Sequence, residues 1–80
     1  STKLKIRQNP ATNGQIEISY TNAKGGTVYV YDISGKFIKS FKVSADSGNE
    51  TLNVGSLKSG LYVLQLKSEK GSSVAKVIMK

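Results

Sequence analysis

Apolar and polar residues alternate along almost the whole chain, and no stretch repeats its apolar residues at helical spacing. Ile16, Ile18 and Tyr20, for example, share one face of a segment whose intervening residues are polar. A period of two is typical of a β-strand with one buried face and one solvated face. Seven such segments are predicted, at residues 3–7, 15–20, 27–32, 36–43, 50–54, 61–66 and 73–80.

Segment 27–32 is apolar on both faces, with Val28 and Val30 on one side and Tyr29 and Tyr31 on the other. Such a strand is expected at the centre of a sheet or beneath a neighbouring element. The same alternation predicts the faces of three later strands, with Phe37, Phe41 and Val43 opposite Ile38, with Tyr62, Leu64 and Leu66 opposite Leu61 and Val63, and with Val77 and Met79 opposite Val74 and Ile78.

Turn-forming residues separate the predicted strands. Asn13-Gly14 is a strong signal for a tight turn. Asp32 can accept backbone N–H bonds from residues two or three positions later, and Gly35 can take the left-handed conformation that closes such a turn. Short strands at about 8–12-residue spacing, with no helix, predict an all-β fold, a seven-stranded antiparallel immunoglobulin-like β-sandwich. A small β-barrel is the alternative.

Length and composition limit the remaining possibilities. Eighty residues predict one domain, residues 1–80, close to the smallest size that a single hydrophobic core can hold. There is no Cys, so no disulfide can form. No apolar run is long enough for membrane insertion, and the first residues lack the apolar stretch of a secretory signal. A chain that starts at Ser1 rather than Met is expected to be a fragment or a processed product.

The net charge of +7 comes from 12 basic and 5 acidic residues. A charge of this size invites a nucleic-acid interpretation. The lysines, however, are scattered along the chain and mostly alternate with apolar residues, which is typical of solvated strand faces. Only Arg7 is an arginine, and arginine dominates bidentate recognition of phosphate and guanine. The pattern therefore predicts no nucleic-acid partner.

Catalytic and metal-binding patterns are missing from the sequence. There is no His, which removes the usual general base and the commonest metal ligand. The carboxylates form no spaced pair, and segment 46–50, although rich in oxygen ligands, lacks the spacing of a calcium loop. We therefore expect a protein that is not an enzyme and that needs no cofactor or metal.

Four tyrosines leave a binding role open. Each lies on an alternating strand, where it can pack at the edge of the core and keep its hydroxyl group solvated. An exposed row of aromatics on one sheet would instead indicate a carbohydrate-binding or adhesive module, and clustered lysines around them would indicate a nucleic-acid-binding barrel. If a tyrosine is exposed for binding, Tyr29 or Tyr31 is expected, because Val28 and Val30 already serve the opposite face.

Four blocks in order give the chain a family resemblance from Asn9 onward. They are "NPATNGQIEI", "VYVYDISGKFIKSF", "LNVGSLKSGLYVLQL" and "AKVIMK", which begin in that order along the chain and end with it. In this arrangement the chain resembles the C-terminal sorting domain of the type IX (Por) secretion system, in its immunoglobulin-like type A form. Each block alone is a common hairpin pattern, and the specificity lies in their order and spacing.

The resemblance implies an address tag with no activity of its own. Such domains end larger secreted proteins, fold in the periplasm, and direct the attached cargo through an outer-membrane translocon to the cell surface or the medium. A sortase-like cysteine protease usually removes them. The expected partners are therefore the translocon and the protease, and the expected locations are the periplasm in transit and then the cell surface or the medium.

The resemblance also implies roles for individual residues. Contact with the translocon is expected at the last strand, through its backbone and through Lys76, Val77, Ile78 and Lys80. Structural roles are expected for the other family-pattern positions, as turn formers or packing residues: Pro10, Asp32, Gly35, Leu57, Gly60 and Tyr62.

Overall fold

A computed structural model describes all 80 residues, from Ser1 to Lys80, and contains seven β-strands. The strands are β1 (Lys3–Ile6), β2 (Gln15–Thr21), β3 (Thr27–Asp32), β4 (Phe37–Lys42), β5 (Gly48–Asn53), β6 (Gly60–Ser68) and β7 (Gly71–Met79). Each end lies within two residues of its predicted position, because the alternation that predicts each strand persists up to the turn residues that stop it.

The strands form two antiparallel sheets that face each other. One sheet has the order β1-β2-β5, and the other has the order β4-β3-β6-β7. The chain crosses between the sheets after β2, after β4 and after β5, whereas β3-β4 and β6-β7 are hairpins within one sheet. The predicted all-β fold of seven antiparallel strands in a two-sheet β-sandwich is confirmed, and the arrangement is consistent with the immunoglobulin-like type. As expected, β3 is a central strand, paired on one side with β4 and on the other with β6.

The core fills the space between the sheets and follows the predicted faces. Ile16 and Ile18 of β2 meet Val28 and Val30 of β3 and the inward residues of β6, and all are essentially inaccessible to solvent. Sixteen buried apolar residues form one cluster. In so small a chain, nearly every strand has to contribute buried apolar area to offset the entropy of folding.

The structure corrects the predicted faces of β4. Pairing with β3 passes from Val30 opposite Lys39 to Tyr31 opposite Phe37, so Ile38 is an extra residue in β4. Such a β-bulge reverses the alternation on one side of it. Phe37 therefore points away from the core and is 52% exposed, whereas Ile38 and Phe41 pack against the core.

A hydrogen-bond network ties the sheet β1-β2-β5 to the loop that crosses from β4 to β5. Glu50 of β5 accepts hydrogen bonds from the Tyr20 hydroxyl (2.6 Å) and from the Ser44 backbone N–H (3.1 Å). Burial and the neighbouring Glu50 carboxylate raise the pKa of Tyr20. The hydroxyl bond from Tyr20, followed in smaller part by the bonds from Ser44, lowers the pKa of Glu50.

Candidate recognition surface

Strand β7 divides its side chains between the core and the solvent, as predicted. Val77 and Met79 are buried, at 0% and 3% exposure, whereas Val74 and Ile78 are 57% and 50% exposed. Lys76 shares the outward side with Val74 and Ile78. The expected contact role of Val77 is thereby corrected, because a buried side chain cannot be touched by a partner while the domain is folded. Val77 supports the fold instead.

The far edge of β7 is closed at its C-terminal end by residues 9–11. Ala11 donates its N–H to the Ile78 carbonyl at 2.7 Å, and Lys80 donates its N–H to the Ala11 carbonyl at 2.9 Å. The Asn9 side-chain oxygen accepts the Ile78 N–H at 2.9 Å. We call residues 9–11 the edge clip. The expected use of the last strand as a free pairing template is therefore wrong for its terminal residues, whose backbone groups already have partners.

In the middle of β7, no strand pairs with the edge that faces away from β6. The N–H and C=O of Ile78 point away from β6. In an antiparallel pair every second residue of a strand points its N–H and C=O to the same side, so those of Val74 and Lys76 also point away from β6. Beyond the edge clip, the neighbouring element is β1, which bonds to the Ser73 side chain through the Leu4 N–H at 3.1 Å. On this edge, the backbone groups of Val74 and Lys76 pair with no strand, and β1 packs nearby.

The outward side of the sheet β4-β3-β6-β7 carries seven large apolar side chains, with Gln65 and Lys76 among them. Tyr31 of β3 lies opposite Val63 of β6, which lies opposite Lys76 of β7. One step along the sheet, Leu61 of β6 lies opposite Ile78. We call this set the apolar outer face, and its residues are Tyr29, Tyr31, Phe37, Leu61, Val63, Val74 and Ile78. Sequence reasoning missed it as a unit, although the two-sided apolarity of β3, β6 and β7 was its signal.

The three aromatic rings of this face pack against one another at steep angles. The rings of Tyr31 and Phe37 have centroids 6.1 Å apart and planes inclined at 68°, and those of Tyr29 and Phe37 are 6.5 Å apart at 58°. The Lys67 ammonium group lies 5.8 Å from the centre of the Tyr29 ring. The rings form a ridged apolar surface, and not the flat platform on which a sugar ring or a base stacks.

Asp32 organises the β3-β4 turn. One of its carboxylate oxygens accepts the backbone N–H of Ser34 and of Lys36, each at 2.9 Å, and the Ser34 hydroxyl at 2.7 Å. These bonds, above all the one from the Ser34 hydroxyl, lower the pKa of Asp32. Gly35 completes the turn with a φ of 90°, a left-handed conformation that glycine adopts without strain. Asp32 and Gly35 thus have the predicted turn roles.

The remaining family-pattern positions also serve the fold. Pro10 lies in the edge clip and is preceded by a cis peptide bond. Leu57 packs against the core cluster, and the buried Tyr62 donates its hydroxyl to the Lys58 carbonyl at 2.7 Å, which fixes the turn before β6. Gly60 starts β6 with a φ of 150°.

Neither side-chain grouping nor surface shape indicates a metal or catalytic centre. No cluster of three or more His, Cys, Asp or Glu side chains is present. One surface depression of about 400 Å³ is lined by the residues Lys3, Leu4, Lys5, Ser19, Tyr20, Thr21 and Ser73. No helix has the length and hydropathy that crossing a bilayer demands.

The fold defines a small two-sheet β-sandwich domain. The comparison with protein families identifies it further: the family described as the secretion system C-terminal sorting domain matches residues 8–80, and the chain belongs to this family. It is a sorting signal of the type IX secretion system, and such a signal implies export to the cell surface or secretion. The search of curated proteins gave no match.

Strand β1 lies outside the matched residues but is part of the sandwich. It pairs with β2 from Lys3 opposite Thr21 to Ile6 opposite Ile18. Leu4 is buried in the core, and the hydroxyl of the buried Thr2 donates to the Asn22 carbonyl at 2.7 Å. The folding unit is therefore longer than the sequence pattern that identifies the family.

Proposed function

We propose that this domain, residues 1–80, is the C-terminal address of a larger secreted protein and directs that cargo across the outer membrane through the type IX translocon. The domain reaches the periplasm first, and the cargo then becomes attached to the surface or released. A sortase-like cysteine protease removes the domain. The observation that supports this most is the family match over residues 8–80, which covers six of the seven strands.

The recognition mechanism is docking, with no bond made or broken by the domain. The side chains of Lys76 and Ile78 on the last strand, and of Lys80 just after it, are exposed. Close by, the backbone groups of Val74 and Lys76 pair with no strand on the outer edge. Because the backbone groups of Ile78 and Lys80 are already bonded to the edge clip, a partner contacts this end of the strand through its side chains. Backbone pairing is available one step earlier along the strand.

The test is an export assay with exposed residues as targets. A fluorescent reporter with a periplasmic signal carries residues 1–80 at its C-terminus in a bacterium that has the type IX machinery. Three variants change the last strand, Lys76→Glu, Ile78→Ser and Lys80→Glu. The matched control is Lys5→Glu, an equal charge reversal on the opposite sheet. A truncation before Lys76 is less informative, because it also removes Val77 and Met79 from the core.

We expect the native domain and the Lys5→Glu control to carry the reporter to the cell surface or the medium. The last-strand variants should leave it folded in the periplasm. Retention of the native fusion in the periplasm, with the domain folded, would show that the chain is not a sorting signal in that host. Equal export of all variants would locate the recognition elsewhere on the domain.

A carbohydrate-binding or adhesive module is the second candidate, and it is favoured by the three aromatic side chains on one sheet. The steep angles between their rings, 58° and 68°, argue against it. Retention of the purified domain on immobilised polysaccharide, lost in Tyr31→Ala, would support this second candidate.

A further inference from the structure

The apolar outer face is unusual for the exposed side of an antiparallel sheet. One face of such a sheet normally packs on the core and the other is solvated and polar. Here the solvated side holds seven large apolar side chains, among them Phe37, Val74 and Ile78, each at least 50% exposed. A contiguous exposed apolar patch rimmed by polar residues marks an interaction surface.

The charge around this face is mainly positive. Lys42 and Lys67 flank Thr27 at one end, and Lys76 lies at the β7 edge. Strands β4, β6 and β7 contain no Asp or Glu. The one carboxylate of β3, Asp32, is already bonded within its own turn. Glu69, in the turn between β6 and β7, lies beside Gly25 at the Lys67 end. The three ammonium groups outnumber these two carboxylates, so a partner that covers the face meets a net positive rim.

We infer that the apolar outer face docks a protein surface that has an apolar centre and carboxylates around it. Carboxylates placed opposite Lys42, Lys67 and Lys76 would supply the missing counter-charges, and apolar side chains would cover Tyr31 and Phe37. The inference rests on the proposed function, because Ile78 belongs both to the proposed sorting signal and to this face, and Lys76 belongs to the signal and to the rim of the face.

Two other occupants fit the face less well. A second copy of the chain, related by a two-fold axis, would bring the same lysine-rimmed patch against itself and set like charges together. A polysaccharide would need ring faces turned to the solvent, but the Tyr31 and Phe37 rings pack edge to face and the Tyr29 ring is tilted at 58° to that of Phe37. The Lys67 ammonium group also lies over the Tyr29 ring. An acidic, apolar protein surface satisfies both the shape and the charge.

The experiment is site-specific photo-crosslinking in the export host. The reporter fusion carries p-benzoylphenylalanine at position 37 and, as the matched control, at position 5 on the outer side of the other sheet. Adducts are identified by mass spectrometry, and the joined peptide is mapped. A second fusion combines the crosslinker at position 37 with Lys42→Glu and Lys67→Glu, which reverse the rim charge without touching the last strand. Circular dichroism verifies the fold of each variant.

We expect position 37, and not position 5, to give an adduct with a protein peptide rich in Asp and Glu. The double charge reversal should lower its yield at least about tenfold, since like charges set opposite one another weaken an interface strongly. Changing the mapped carboxylates to Lys in the partner should restore it.

Several results would overturn the inference. They are an adduct with a second copy of the chain or with polysaccharide, an equal adduct from position 5, insensitivity to the charge reversal, and no adduct from position 37 while the reporter is exported. If the reporter is exported and position 37 gives no adduct, the sorting function is supported and the docking role of the apolar outer face is rejected. An acidic adduct that depends on Lys42 and Lys67, in cells that do not export the reporter, would keep the docking face and reject the sorting function.

Discussion

The two sheets turn outer sides of opposite character to the solvent. On the sheet β1-β2-β5 every outward residue within the paired strands is polar: Lys3, Lys5, Gln15, Glu17, Ser19, Thr21, Asn49, Thr51 and Asn53. A representative contact there is the hydrogen bond from the Thr51 hydroxyl to the Glu17 carboxylate, at 2.7 Å. On the sheet β4-β3-β6-β7 the corresponding positions hold the seven residues of the apolar outer face together with polar residues such as Thr27, Gln65 and Lys67.

The two sheets share one small core, so core packing alone does not explain why their outer sides differ in polarity. Inward residues such as Ile16 and Leu64 are equally buried in the two sheets. The polar side shows that this sandwich folds with an ordinary solvated face, and the apolar residues of the other side are additional to what the core requires. The comparison separates residues that hold the fold together from residues that are available for recognition.

The largest expected effect separates two neighbours on β7. Val77→Ser should destabilise the domain by about 3–4 kcal/mol, because it leaves a cavity and buries a hydroxyl group. Ile78→Ser, one position later on the exposed side, should change the free energy of unfolding by less than about 1 kcal/mol. Urea denaturation of both variants measures the difference, and equal losses would contradict the assignment of the two faces.

A smaller effect is expected from two tyrosines on opposite sides of the same sheet. Tyr62→Phe should cost about 1–2 kcal/mol, because it removes the hydroxyl that bonds to the Lys58 carbonyl in a buried position. Tyr31→Phe should stay within about 0.5 kcal/mol of the native domain. Thermal unfolding by circular dichroism distinguishes them. A larger loss for Tyr31→Phe would mean that its hydroxyl has a structural role.

Exchanging the character of the two outer sides should change surface hydrophobicity with little effect on stability. Val74→Thr with Ile78→Thr keeps β-branched residues in place and should shorten retention on a hydrophobic-interaction column. Thr21→Val with Thr51→Val, on the other sheet, should lengthen it. Both pairs should alter the free energy of unfolding by less than about 1 kcal/mol. Unchanged retention in the first pair would show that the apolar outer face is not accessible.

The smallest effect concerns acid. The pKa values of Glu50 and Asp32 lie below their ordinary values of 4.5 and 3.8 in the folded domain. A lowered carboxyl pKa stabilises the fold above the ordinary value, and this contribution is lost as the pH falls through the folded value. The urea concentration at the midpoint of unfolding should therefore decrease once the pH is lowered below about 4.5.

Two substitutions assign this acid loss to its source. Tyr20→Phe removes the main cause of the Glu50 shift, and Ser34→Ala removes that of the Asp32 shift. Each should make the decline of the urea midpoint with pH shallower than in the native domain, whatever its effect on the midpoint at pH 7. An unchanged slope in both variants would place the acid sensitivity in other groups.

Much of the fold follows from the sequence because its strands alternate cleanly. The core residues of β2 and β6 are predicted from period alone, as is the turn built on Asp32 and Gly35. The inward side of β4 could not be predicted, since one bulged residue, Ile38, reverses the phase, and nothing local marks it. Phe37 was consequently assigned to the wrong side.

The candidate site was less predictable, because it depends on contacts between distant parts of the chain. Alternation predicts that the side chains of Val77 and Ile78 face opposite ways. A family pattern that spans both residues, however, does not distinguish a residue that packs in the core from one that contacts a partner. The edge clip brings Asn9 and Ala11 to Ile78, far along the chain, and no local pattern announces such a pairing. Tertiary contacts of this kind decide which backbone groups of the last strand are free.

The edge clip also has a mechanical meaning. Ala11 and Met79 pair in parallel, so the two segments run in the same direction. When residues 9–11 are pulled from their N-terminal side while Lys80 is held, the two segments are loaded in shear. Their hydrogen bonds are then strained at the same time instead of breaking one after another. Resistance to pulling follows the unfolding rate and not the equilibrium stability. A small β-sandwich of modest equilibrium stability can therefore still resist a pulling force between its two ends.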